Sequence, residues 1–366
     1  MAGERPSWWR RARLGDVADV NWGDTSTTKA AYVTAGFPAY SASGPDGFLP
    51  YADFDRTGVV LSAIGADCGK TWLAKGKWSC IKNTIRFWAA NPEVDSAFLY
   101  WLTSDPAIWP KRGSAQPFIS QGDARALEIA YPPLPEQRAI AHILGMLDDK
   151  IELNRRMNEA LEAIARAIFK SWFVDFDPVR VKAEGRCPCL PKPIADLFPD
   201  AFEDSELGEI PAGWGMGVIG DLCEVAIGGD WGEDAPFDGG VEVYCLRGVD
   251  LEHLRFSGYA DAPRRWVKGT SVVRRRLDES DVLVAGSGVG PTGRPLWAAP
   301  EIKALFVLPV IYSNFCKRLH CESAAVAIYL DRWLQVLRES GEIWEYVNGT
   351  SVPNLDANAL LNGSRF

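Results

Sequence analysis

The sequence predicts a mixed α/β (α+β) protein, with two similar globular domains separated by one long helix of coiled-coil type. Three observations lead there. The two halves of the 366-residue chain use the same local phrases in the same order, a heptad pattern fills the segment between them, and a proline-rich connector follows that pattern. Self-similarity is read first because a missed repeat misassigns the whole architecture.

The first domain occupies residues 1–134. Its opening phrase RLGDV (13–17) is echoed by VIGDL (218–222). LSAIGADCGKTW (61–72), a strand-like run entering a glycine turn with a cation at its exit, is echoed by DVLVAGSGVGPTGR (281–294). A helix-like segment, DSAFLYWLT (95–103), precedes GSAQP (113–117), as the helix-like 324–337 precedes GTSVP (349–353). Both halves close on related phrases, DARAL (123–127) and DANAL (356–360).

The spacer occupies residues 135–173. Pro132, Pro133 and Pro135 stop the preceding element and pre-set φ for a helix start, and Glu136 lies in the first turn, where the helix dipole favours an anion. From there Ile140, Leu144, Leu147, Ile151, Asn154, Asn158, Leu161, Ala165 and Ile168 recur at alternating spacings of four and three, a heptad seam. The two asparagines lower stability on such a seam but fix register against a partner helix. A helix over 136–172 is about 55 Å long at ~1.5 Å per residue, so the pattern reads as a strut and not a core helix.

A connector follows over 174–205, marked by prolines from 178 onward, and the second domain runs over 206–362. Composition fits such a protein. Hydrophobic residues make up 47% and charged residues 24%, values of an ordinary globular chain. No apolar run approaches the roughly 18 residues of a membrane span and no signal-peptide core is present, which places the chain in the cytoplasm with no membrane partner.

Catalytic chemistry finds little support. Gly69-Lys70-Thr71 resembles the end of a phosphate loop, but Gly65 stands one position too close for G-x-x-x-x-G-K-[ST], and no amphipathic helix follows. The glycines at 288, 290 and 293 satisfy G-x-G-x-x-G, yet Pro291 and Pro295 block the helix a dinucleotide site requires. Eight cysteines include no C-x-x-C pair, and His142, His253 and His320 are not spaced as zinc partners, so reduced thiols and no metal are expected. No nucleophile elbow and no N-P-P-[YF] motif occur, and no cofactor is expected. The net charge of −9 leaves nucleic acid open, because affinity depends on where cations cluster.

The segment PPLPEQRAIAHILGMLDDKIELNRRMNEALEAIARAIFKSWFVDFDPV (132–179) resembles the central conserved region of type I restriction-modification specificity subunits. FEDSELGEIPAGW (202–214) resembles the entry to a second target-recognition domain of that family, and GFPAYSASGPDGFL (36–49), 61–72 and AGSGVGPTGRP (285–295) resemble phrases inside such domains. The resemblance implies two target-recognition domains that each grip half of a split double-stranded DNA sequence. It implies helices that dock methyltransferase subunits, which modify adenine N6 with S-adenosylmethionine, and a complex that recruits an ATP-driven restriction subunit. It implies no catalysis by the chain itself.

In the family a second conserved helix should follow residue 362, whereas this sequence ends at Phe366, so residues 363–366 read as an aberrant end and the helix as missing. An unpaired seam is then expected to self-associate, or to impair assembly with methyltransferase subunits.

Within that frame the candidate DNA contacts are Lys70 and Arg294, at equivalent exits of the two glycine turns, and Thr71 beside the first. The crowded cations Arg264, Arg265, Lys268, Arg274, Arg275 and Arg276 join them, with Gln116, Thr350 and Ser351 on the polar loop tips. The cations also fit a solvated charged face. Two other functions remain open: a scaffold or competitor that binds methyltransferase subunits without binding DNA, and a nucleotide-binding enzyme using a glycine loop.

Overall fold

A computed structural model describes residues 8–113, 116–206, 208–349 and 351–366. The chain divides into two compact units, Met1–Ile151 and Glu152–Phe366. The long helix, Leu134–Phe173, contributes its first part to one unit and the remainder to the other. Mixed α/β structure with one long helix is the predicted fold class.

In the first unit the strand Arg10–Arg13 pairs antiparallel with Glu128–Tyr131, so the unit's two ends meet just before the long helix. An antiparallel sheet runs in the order Ala18–Trp22, Thr84–Ala89, Gly58–Ser62, Thr71–Ala74. Every residue of Gly58–Ser62 is buried, so this strand is covered on both faces and reads as a continuous apolar run rather than an alternation. A second sheet joins Gly44–Leu49, Phe37–Ser41, Lys77–Cys80 and Phe54–Asp55, with Phe37–Ser41 and Lys77–Cys80 parallel. Helix Ser96–Thr103 starts where the Asp95 carboxylate accepts from the Phe98 N–H at 2.9 Å, and it buries Phe98 and Leu99 on the first sheet's core.

The second unit uses the same plan. Its first sheet runs Cys223–Val225, Cys316–Cys321, Asp281–Ala285, Pro295–Trp297, strand for strand the order of the first unit. Its second sheet again holds a parallel pair, Gly240–Leu246 with Val310–Tyr312, flanked by Arg264–Lys268. Helix Ala324–Ser340 is capped by Ser323 and ends at Gly341 in the left-handed region, burying Leu330, Leu334 and Leu337. The closing helix Ala357–Gly363 is capped by Asp356, and Val218 bridges Arg365, so this unit also brings its ends together.

The helix is fastened at both ends. Gln137 is fully buried: its amide donates to the carbonyls of Glu93 at 2.9 Å and Pro132 at 2.8 Å and accepts from the Asp95 N–H at 3.0 Å. A buried amide with three bonds satisfied locks the helix start onto the first unit. Near its other end Phe169 packs on Tyr329 with ring centres 5.3 Å apart, and Phe173 stacks on Trp214 at 6.1 Å. The connector beyond carries helices Asp177–Ala183 and Lys192–Ala195, tied by Lys182 Nζ to the carbonyls of Ala195 and Phe198. All eight cysteines are free thiols; Cys187 and Cys189 are exposed and the other six buried.

Candidate nucleic-acid interface

The two glycine turns match bond for bond. In the first unit the Ser62 N–H donates to the Lys70 carbonyl and the Gly69 N–H to the Ser62 carbonyl, both at 2.9 Å. In the second, Ala285 donates to Arg294 at 2.9 Å and Gly293 to Ala285 at 2.8 Å. Each turn then captures its polar loop. Gly65 donates to Pro117 at 3.0 Å and Ile119 to Ala63 at 2.8 Å; the counterparts are Gly288 to Pro353 at 3.2 Å and Leu355 to Gly286 at 2.7 Å. The segment that follows each loop is therefore held against its glycine turn.

Gly69 and Gly293 have a steric reason. Their φ angles are +95° and +79°, and a Cβ would stand 2.9 Å from Lys111 Cε or Ile343 Cγ1 respectively. The first of these contacts sets Lys111, exposed beside Arg112, against the turn that carries Lys70. Sequence reasoning passed over Lys111, although a Lys-Arg pair directly before the loop glycine Gly113 was visible.

The predicted contacts fall into three groups. Lys70, Gln116, Arg264, Lys268, Arg274, Arg276 and Ser351 are exposed. Lys70 carries an ion pair to Asp67 at 2.6 Å and Arg264 one to Glu242 at 3.4 Å, both too exposed to hold the cation from another anion. Arg275 and Arg294 are half-buried: Arg275 donates to the Gly228 carbonyl at 2.7 Å and Ser271 Oγ at 2.8 Å, and Arg294 pairs with Glu252 at 2.5 Å.

Thr71 and Arg265 do not belong at a DNA surface. Thr71 is buried in its strand and its hydroxyl donates to the Thr103 carbonyl at 3.4 Å. Arg265 is 7% exposed, lies 4.6 Å from the Trp231 ring centre, and donates to the carbonyls of Trp231 and Gly232 and to Asp234. Strand alternation explains this: within Arg264–Lys268 the positions 265 and 267 face inward, whatever their charge. Thr350 lies outside the described residues.

The exposed cations Lys268 and Arg274 and the half-buried Arg275 border an open cavity of about 330 Å³ that also holds Trp266, Asp230 and Glu233. Its charge is mixed, with Asp230 and Glu233 facing Lys268, Arg274 and Arg275. Neither glycine turn is followed by a helix. Strands Thr71–Ala74 and Pro295–Trp297 come next, so no helix N-terminus is available to cradle a nucleotide phosphate.

Among the described residues, one acidic cluster lies at the start of the strand Asp281–Ala285. Asp278, Asp281 and His320 come within ligand distance of one another, but Asp281 already accepts from the Asp278 N–H at 2.9 Å, contacts His320 Nδ1 at 2.9 Å, and has the Arg318 guanidinium at 3.6 Å. A resident arginine supplies the positive charge there.

The helix presents a second, different surface. Of the predicted seam, Ile140 packs on the first unit's core, Leu144 is half-buried, and Asn158 donates its amide to the Phe256 carbonyl at 3.2 Å inside the second unit. Leu147, Ile151, Asn154, Leu161 and Ile168 are exposed. Beside them Ile143, Met146, Leu153, Met157 and Ile164 are each more than half exposed. Met146, Lys150, Leu153, Met157, Ala160 and Ile164 repeat at alternating spacings of four and three, a second seam about 100° around the helix from the first. It escaped notice because the first seam alone accounts for the apolar period. The exposed face of this helix is thus largely apolar, interrupted by Lys150.

Residues 6–163 match the family model described as the type I restriction modification DNA specificity domain. The specificity subunit of type I restriction enzyme HindI of Haemophilus influenzae is 31% identical over 179 residues, 36% of this chain and 39% of the relative. That of type I restriction enzyme MjaIX of Methanocaldococcus jannaschii is 33% identical over 250 residues, 62% of this chain and 54% of the relative. The chain thus spans about half, or less, of the length of these curated relatives. Among solved structures, a type I restriction-modification system S subunit from M. genitalium shares the fold, with a TM-score of 0.55 at 14% identity over 98% of this chain and 83% of that one.

Proposed function

Because residues 6–163 belong to the type I restriction modification DNA specificity domain family, we propose that this chain is a sequence-specific DNA-binding subunit that directs adenine methylation and restriction by partner subunits. Residues 1–134 and 206–362 are the two target-recognition domains, each reading one half of a bipartite site. The observation that carries this reading is the duplicated turn and captured loop, which gives both halves an equivalent surface with an exposed polar tip. Lys70, Lys111, Lys268, Arg274 and Arg276 hold phosphates and set the register, while Gln116 and Ser351 reach base edges. Catalysis resides in partners: methyltransferase subunits dock a helix on the exposed stripe, and the restriction subunit joins the assembled complex. Without a methyltransferase subunit, a second copy of the chain pairs along the same stripe. The site of action is the cytoplasm, on chromosomal or incoming DNA.

Co-expression with the cognate methyltransferase subunit, followed by genome-wide mapping of N6-methyladenine, tests the proposal. The expected result is a split motif, of which exchanging residues 1–134 for another subunit's domain changes one half only. A complex that forms but deposits no methyl mark would leave a scaffold and overturn the DNA-reading role.

A further inference from the structure

The second unit contains a cavity of about 180 Å³ walled by Arg166, Arg255, Arg294 and Arg338 together with Glu252 and Glu339. Four elements bring these side chains together: the long helix (Arg166), helix Gly248–Ser257 (Glu252, Arg255), the exit of the glycine turn (Arg294), and helix Ala324–Ser340 (Arg338, Glu339).

Three of the four arginines have anions. Arg255 meets Asp331 at 2.6 Å and Glu162 at 3.4 Å, Arg166 meets Glu339 at 2.7 Å, and Arg294 meets Glu252 at 2.5 Å. Arg338 has no ion pair among the described residues; its Nη2 reaches only the Gly290 carbonyl, at 3.4 Å. Burial, and then the like charge of Arg294, push its pKa down and outweigh the opposing charges of Glu252 and Glu339. The Nε atoms of Arg166, Arg294 and Arg338 are shielded from solvent and find no acceptor among the described residues. Shielded N–H donors without acceptors are costly, and a surplus guanidinium next to another guanidinium is costlier.

We infer that this cavity is an oxyanion site that takes one phosphate group, with Arg338, Arg166 and Arg294 as its donors. An oxyanion supplies the partner charge that Arg338 lacks among its ion pairs, held by the terminal Nη groups, since the shielded Nε atoms are closed to an anion as they are to water. Guanidinium forks match phosphate oxygens geometrically, and the site has more of them than its carboxylates neutralise. A metal cation would meet four guanidinium groups. Glu252 and Glu339 keep their arginines in place and limit the charge, so exchange stays possible. The phosphate group comes either from free inorganic phosphate or from the backbone of bound DNA; the site itself does not depend on the DNA-reading role.

The test is titration of the full chain with inorganic phosphate, against chloride at equal ionic strength, read by calorimetry and by the unfolding midpoint. Saturable binding is expected, weakened about tenfold or more by Arg338→Gln and by Arg166→Gln, while Arg186→Gln on the connector leaves it unchanged. Unfolding in chloride reports whether each variant is folded. If Arg338→Gln is not, Arg338→Lys keeps the charge, loses the fork, and is expected to weaken phosphate binding several-fold. Absence of saturable phosphate binding by the unmodified chain, or equal binding by folded Arg338→Gln and Arg166→Gln, overturns the inference. With phosphate binding established, duplex DNA assigns its source. Competition by phosphate and loss of DNA affinity in Arg338→Gln identify the backbone, and unchanged DNA affinity identifies free phosphate.

Discussion

Glu162, on the long helix, accepts from both terminal nitrogens of Arg332, at 2.5 Å from Nη1 and 3.2 Å from Nη2. Arg255 Nη1 stands 3.4 Å from the same carboxylate, and Asp331 neutralises Arg255 from the other side at 2.6 Å. This network joins three helices of the second unit through groups that are less than one-fifth exposed. Low exposure is what lets such pairs matter, since exposed ones contribute little.

Glu162→Gln is therefore expected to destabilise the second unit by about 1–3 kcal/mol at neutral pH, measured by chemical denaturation. Burial pulls the Glu162 pKa upward, but the Arg332 hydrogen bond and the charges of Arg255 and Arg332 together outweigh it, and the net shift is below the ordinary value of 4.5. A depressed carboxylate pKa contributes stability that is complete above the unfolded-state value and is lost as pH falls through the folded one. The gap between the native chain and Glu162→Gln should stay flat at neutral pH and narrow below about pH 4.5. A gap that widens on acidification would contradict this assignment.

Three glycines at positive φ separate two costs of substitution. Gly76 has φ of +66° and open space where a Cβ would go, so Gly76→Ala measures the strain of the left-handed conformation, about 1–2 kcal/mol. Gly69→Ala adds contacts at 2.9 Å with the flexible end of Lys111 and 3.0 Å with the Pro106 carbonyl, and Gly293→Ala one at 2.9 Å with Ile343. The side chain of Ile343 is fully buried, so Gly293→Ala should be the most damaging of the three. Urea midpoints give the ranking, and Gly293→Ala unfolding no earlier than Gly76→Ala would show that the turn relaxes.

Much of this organisation was legible in the sequence. Heptad spacing and the absence of glycine or proline over most of residues 136–172 announced the helix, and Pro133 and Pro135 its start. The echo of 61–72 in 281–294 announced a repeated strand and glycine turn with a cation at its exit, because glycine positions and exit cations are local signals; the shared backbone hydrogen bonds came from the structure. What stayed hidden depends on tertiary context. Gln137 looks like any polar residue of a first turn until Glu93 and Asp95 arrive from distant sequence to satisfy it. Arg265 looks like part of a basic surface until the pleat turns it under Trp231. The arginine cavity draws on residues 166, 294 and 338, which no spacing rule connects.

Arg265 and Arg274 give opposite expectations although both belong to one basic run. Arg265→Ala removes a buried guanidinium and strands the carbonyls of Trp231 and Gly232, so a loss of roughly 2–4 kcal/mol in stability is expected. Arg274→Ala, at an exposed position, should leave stability within about 0.5 kcal/mol. On DNA it should lower affinity and reduce the slope of log affinity against log salt by about one. A large stability loss in Arg274→Ala with no change in salt slope would remove it from the phosphate-contact set.

The exposed stripe of the long helix separates partner binding from folding. Leu153 and Met157 are 64% and 52% exposed, so placing a carboxylate there removes little buried area from the isolated chain. Leu153→Asp with Met157→Asp should therefore leave the unfolding midpoint nearly unchanged, because neither side chain contributes to a core. Phe169, 6% exposed against Tyr329, behaves otherwise: Phe169→Asp buries a charge without a partner and should disrupt the second unit. If a partner helix occupies the stripe, the double aspartate variant loses methyltransferase-subunit binding by co-purification while remaining folded, since each carboxylate would be buried unpaired in the new interface. Retention of binding by the folded double variant would move the docking surface to another face of the helix, with the exposed Leu147 and Ile151 as the next positions to change.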